Sequence, residues 1–159
     1  MYKQTKKVKK MKTKYINNFK MNDDTYAERR KVINILYEAK RMGIKLPRIN
    51  VRIGSPAAGH ENTLGVGGAL NIWITKKAID RGYNYLLHVV LHELCHAVFN
   101  TDHNEKCKLM ASTIGTPCEV QEAWGIFKKY AFDNLADTTK KITVAERNRL
   151  KKAFLSYLK

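Results

Sequence analysis

Residues 84–100, NYLLHVVLHELCHAVFN, constrain the fold more than any other stretch of the chain. They contain neither proline nor glycine, and apolar residues fall on every side of the helical period. A helix of this kind has no solvated face. It has to run through the middle of a domain, with other elements packed around it. The polar residues in its interior are His88, His92, Glu93 and His96, and the last three spell H-E-x-x-H.

His92 and His96 stand at i and i+4, about 6 Å apart along the axis and roughly 40° beyond one full turn, so both imidazoles face one side. Two ligands of a single Zn²⁺ need that spacing. Glu93, beside the first ligand, can reach a metal-held water and act as a general base. A zinc site needs a third protein ligand, and a catalytic one leaves the fourth position open. His103 follows His96 by seven residues. On an unbroken helix it would lie about 10 Å further along, out of reach. The helix must therefore break, and Asn100-Thr101-Asp102 supplies poor helix formers at the required place. Asp102, Glu119 and Glu122 are the other candidates for the third position. His88 continues the i, i+4 series as a core histidine or as a support for a ligand. Cys95, offset by one residue from His96, points away from the metal and packs in the core.

The chain has 159 residues, the size of a single domain. Its 30 Lys and Arg against 14 Asp and Glu give a net charge of +16, which implies a polyanionic partner, DNA or RNA before a membrane surface. Eight lysines and no acid fall in the first twenty residues. Residues 1–21 read as a flexible basic arm. Its Lys6, Lys7, Lys9, Lys10, Lys12 and Lys14 are candidate phosphate contacts, and Tyr2, Tyr15 and Phe19 could stack on bases. Cys95, Cys107 and Cys118 are odd in number and form no C-x-x-C, which argues against a disulfide framework and for a reducing compartment. No secretory signal and no apolar run of spanning length is present, so the expected location is cytoplasmic.

The remaining elements follow from pattern. Residues 22–43 read as a helix, capped by Asp23, Asp24 or Thr25 and closed by Gly43. Ile49, Val51 and Ile53 alternate in a strand. A Gly-rich connection with room for a short strand leads to a second strand over 69–75, which would edge a substrate cleft. Gly67 and Gly68 would permit close backbone approach there. Residues 76–82 form a helical turn. A short helix is expected over 104–115, and another from Thr116, with Pro117 at N1 and Glu119 completing a capping box. A basic amphipathic helix begins at Thr143, inside a C-terminal segment 136–159. The expected fold is one α+β domain over 22–135.

HELCHAVFNTDHNEKCKLMASTIG, residues 92–115, resembles the active-site region of the SprT-like (Spartan-type) zinc metalloproteases. The resemblance covers roughly residues 24–130 and is specific at the motif. It implies a zincin-like minimal metalloprotease domain, with a small mixed or antiparallel sheet packed on the active-site helix and extra C-terminal helices. It also implies Zn²⁺ held by His92, His96 and His103, with Glu93 as the catalytic base. The expected function is a monomeric endopeptidase acting on nucleic-acid-associated proteins, as in the repair of DNA–protein crosslinks. Asn104 stands where the family often has Gly. The loop between the second and third His is shorter than in Spartan. A basic helix replaces the zinc ribbon of many members. The oxyanion donor would be Tyr83, Tyr85 or His60. HELCHAVFNTDH is also similar to the three-histidine pattern of bacterial rRNA-maturation endonucleases, with one extra residue before the last Asp-His, but that family does not need the Glu. A zinc-dependent endoribonuclease is therefore one alternative. A non-catalytic nucleic-acid-binding protein with a structural metal is the other.

Overall fold

The computed structural model describes residues 13–16, 19–22, 26–54 and 62–135, and over them the chain is an α+β fold. Five strands form one mixed sheet: β1 (Thr13–Ile16), β2 (Phe19–Asn22), β3 (Ile49–Gly54), β4 (Gly65–Gly68) and β5 (Asn71–Thr75). Their spatial order is β1-β2-β3-β5-β4. Among the described residues the helices are α1 (Tyr26–Arg41), α2 (Lys76–Asp80), α3 (Tyr83–Phe99) and α4 (Val120–Leu135). None of them is long and apolar enough to cross a membrane.

β1 and β2 pair antiparallel, from Thr13↔Asn22 to Ile16↔Phe19. Residues 13–16 and 19–22 therefore pair in the sheet, within the stretch where a flexible arm was expected over 1–21. Tyr15, Ile16 and Phe19 favour strands. The lysine count concealed this. Lys6, Lys7, Lys9, Lys10 and Lys12 lie outside the described residues, and only Lys14 of the six candidates falls in β1.

β2 and β3 are parallel, and α1 is the crossover between them. Val32, Ile33, Ile35 and Leu36 bury one side of α1. Arg29 is buried with them, and its Nη1 donates to the Val51 carbonyl of β3 at 2.9 Å. The helix closes at Gly43, as expected, with φ at 87°. The Gly43 and Ile44 amides return to the carbonyls of Lys40 and Ala39. The proposed caps at 23–25 lie outside the described residues.

β3 and β5 pair in parallel with Val51↔Ile72 and Ile53↔Ile74. Ile49, Val51, Ile72 and Ile74 join the core formed with α1 and α3. On the other face, by strand alternation, Asn50 donates to Asn71 at 2.9 Å. The sequence placed β5 at the edge of the sheet, but among the described residues the edge strand is β4, antiparallel to β5 with Gly67↔Ile72. Gly-Val-Gly-Gly has no side-chain alternation by which to be read as a strand. What forces its pairing is the turn after it. Ala69 and Leu70 both hold positive φ, 49° and 65°, as a tight hairpin demands. The Leu70 amide donates to the Ala97 carbonyl at 3.2 Å, filling one of the acceptors left open where α3 ends.

α3 is buried over most of its length, as its all-round apolarity requires. After it, two expectations are corrected. Residues 104–115 form turns rather than a helix, and α4 starts at Val120, one turn later than the Thr116 box. For 104–115, the Leu109 carbonyl that a helix would use internally is committed to His92. α4 is capped instead by Glu119 and Glu122. The Ala123 amide donates to the Glu119 carbonyl at 2.8 Å, and the Glu119 amide to the Glu122 carboxylate at 3.4 Å. Residues 136–159 lie outside the described residues, and so does the basic helix expected there.

Candidate metal centre

The helix break falls where the sequence asked for it. Asn100 ends α3 in the left-handed region, φ 54° and ψ 38°, a conformation Asn tolerates better than most residues. The Asn100 and Thr101 amides both close on the Cys95 carbonyl, the latter at 3.1 Å. This turn brings the chain back over α3 and delivers His103 to the face already occupied by His92 and His96.

The three rings meet there. Their centroids are 4.7 Å apart for His92 and His96, 4.8 Å for His96 and His103, and 5.2 Å for His92 and His103. One nitrogen from each lies within 4.8 Å of the others, so the group could hold a metal ion. No other His, Cys, Asp or Glu group among the described residues does so.

Hydrogen bonds fix how two of the rings are protonated. His92 Nδ1–H donates to the Leu109 carbonyl at 2.7 Å, and His96 Nδ1–H donates to the Thr101 carbonyl at 2.6 Å. A carbonyl can only accept, so each Nδ1 carries the proton and each Nε2 presents a lone pair. These two Nε2 atoms are 3.2 Å apart. Burial lowers the His92 pKa to about 4, with the bond to Leu109 opposing it, so at neutral pH no proton fills the gap. Burial is also the main cause that lowers His96. Two lone pairs at this distance repel, and a cation between them removes the repulsion. His103 is exposed, which leaves the third side of the group open to solvent.

Glu93 lies on α3 beside β4. A Cβ on Gly65 would meet Glu93 Cγ at 3.0 Å and Oε2 at 3.1 Å, and one on Gly67 would lie 2.2 Å from the Glu93 carbonyl oxygen. The two glycines thus let the edge strand rest directly on the helix at this residue. They serve this packing. The Glu93 side chain is covered, and burial pushes its pKa up to about 8.

Other candidates are placed elsewhere. Glu122 pairs with Lys108 at 3.4 Å, and neither it, Glu119 nor Asp102 joins the three rings. Tyr83 and Tyr85 sit nine and seven residues before His92, about 13 and 10 Å back along the helix, too far to serve as oxyanion donors. Tyr85 lies under the Arg81 guanidinium instead, 4.9 Å from ring centre to carbon. His60 is outside the described residues. Cys95 is buried and its thiol pKa is raised, mainly by burial. All three cysteines are free. What the sequence reading missed is the pair of carbonyls, Thr101 and Leu109, that orient the imidazoles. No side-chain pattern marks a backbone acceptor.

The buried carboxyl makes a pH prediction for metal-free protein. Glu93 ionises near 4.5 in the unfolded chain and near 8 in the fold, so the folded state holds the extra proton. The stability this contributes is complete below the unfolded value and is lost as pH rises through 8. The buried histidines, lowered below 6.5 in the fold, add an opposing slope near 6.5, but it is common to wild type and Glu93→Gln and cancels between them. Between pH 6.5 and 8 the metal-free wild type should lose about 2 kcal/mol relative to Glu93→Gln in urea unfolding. An equal slope in both proteins would contradict the burial of the carboxyl.

No protein-family model, no curated protein and no solved structure matches the chain.

Proposed function

We propose that the chain is a zinc-dependent endopeptidase of the SprT-like kind, with a zincin-like arrangement, acting on proteins associated with nucleic acid. The observation that carries the reading is the convergence of His92, His96 and His103 with Glu93 buried on the same helix. Zinc suits an all-imidazole set. Two nitrogens at a Zn–N distance of roughly 2.0–2.1 Å in tetrahedral geometry stand about 3.3 Å apart. The His92 and His96 Nε2 atoms are 3.2 Å apart.

Bound there, zinc would acidify a water and polarise a peptide carbonyl. The chain's own groups do the rest. The Leu109 and Thr101 carbonyls hold the two rings in the tautomer that presents Nε2. Glu93 takes a proton from the attacking water and returns it to the leaving amine. A nearby divalent charge draws a carboxyl pKa down, which would bring that of Glu93 from about 8 towards neutrality, where a base and acid in turn is most effective. β4 ends the sheet beside this helix, and an extended peptide can add to its outer edge as a further strand. The net charge of +16 supports recruitment by a polyanion.

The test is proteolysis of a DNA-binding protein such as a histone, with and without single-stranded DNA. Cleavage should rise about tenfold or more with DNA at low salt, and the stimulation should fade as salt rises. RNA cleavage without peptide cleavage would transfer the site to the endoribonuclease reading. Zinc uptake with neither activity would leave the binding module.

A further inference from the structure

His88 is buried, and neither the core nor the reaction described above calls for an imidazole at its position. The Cys118 amide donates to its Nδ1 at 3.0 Å. Nδ1 is therefore the acceptor, and the ring proton sits on Nε2. That Nε2 is buried and has no hydrogen-bond partner among the described residues. An orphaned buried donor costs stability, a cost that packing alone does not offset. Burial, with Lys108 nearby and Glu122 opposing, keeps the ring neutral and the lone pair available.

His88, His92 and His96 form one ladder along α3. Each engages one backbone group of the segment that follows the helix: His96 the Thr101 carbonyl at 2.6 Å, His92 the Leu109 carbonyl at 2.7 Å and His88 the Cys118 amide at 3.0 Å. Between Leu109 and Cys118 this strap has turns but no helix to stiffen it. The Asn104 amide holds it before the Leu109 contact, by bonding the Met110 carbonyl at 2.9 Å, and His88 holds it after.

We propose that His88 is a positioning residue for His92: by accepting from Cys118 it fixes the strap, and so keeps the Leu109 carbonyl on His92 Nδ1. The affinity test of this rests on the metal reading, and a second readout does not.

Two variants separate positioning from packing. His88→Asn keeps an acceptor where Nδ1 stands, exchanges the ring N–H for the two donors of its amide and leaves a void. His88→Leu fills the space and offers no acceptor. A packing role favours Leu, a positioning role Asn. Zinc affinity, measured by competition with a chromogenic chelator, should stay within about threefold of wild type in His88→Asn and fall about 10–100-fold in His88→Leu. The reverse order, or three equal affinities, overturns the proposal. If wild type takes up no zinc, the metal reading fails and the ring is read by nitrogen NMR. His92 should then be the Nδ1–H tautomer in wild type and His88→Asn, and a mixture in His88→Leu. One tautomer in all three overturns the positioning role.

Discussion

Glu93→Gln is expected to lower peptide hydrolysis by about 10²–10⁴-fold, the range a lost general base gives, while zinc content stays at the wild-type level. Gln has the size and shape of Glu, so β4 keeps its seat over the side chain, where a Cβ on Gly65 would already be 3.1 Å from Oε2. What is lost is the ability to take a proton. The same change removes a buried ionisable group, so the variant should be more stable than wild type above pH 6.5 when metal-free. Inactive yet more stable is a combination that misfolding cannot produce. Retained hydrolysis in a folded, zinc-loaded variant would remove Glu93 from the chemistry.

Gly67→Ala is expected to destabilise the protein by about 3 kcal/mol or more, beyond ordinary overpacking. The added Cβ would lie 2.2 Å from the Glu93 carbonyl oxygen and 2.9 Å from its carbon. Both are backbone atoms in the middle of α3 and cannot rotate aside. Either β4 lifts from the helix or the helix bends at the metal-site motif. Gly125→Ala is the control. That glycine is inside α4 and its Cβ would meet nothing within 4 Å. There the substitution should stabilise by about 0.5–1 kcal/mol through helix propensity alone. Opposite signs in urea unfolding would confirm that close approach, not the loss of glycine as such, sets the effect. A harmless Gly67→Ala would mean that β4 does not rest on α3 as described.

The helix of the candidate metal site was legible because its signal is local: an apolar run, an i, i+4 pair, and Asn100 where a turn was needed. The coming together of His103 with the other two rings followed from the same reasoning. The strand that flanks the site was not legible. β4 consists of three glycines and a valine, and its pairing depends on a left-handed Ala69-Leu70 turn held by the end of α3. Nor was the path after His103. The capping box at Thr116 and the helical composition of 104–115 are real local preferences. They yield to tertiary demands, because a helix through Leu109 would bond its carbonyl internally and withdraw it from His92. The arm at the N-terminus misled through its charge, which hid the strand formers Tyr15, Ile16 and Phe19.

The most direct test of the central claim is zinc stoichiometry after exhaustive dialysis, with X-ray absorption at the zinc edge on the same sample. The account predicts one zinc per chain, bound by three imidazole nitrogens at about 2.0–2.1 Å and by no sulfur. A chain that retains no zinc, or one whose zinc is held by Cys95, Cys107 or Cys118, would contradict it.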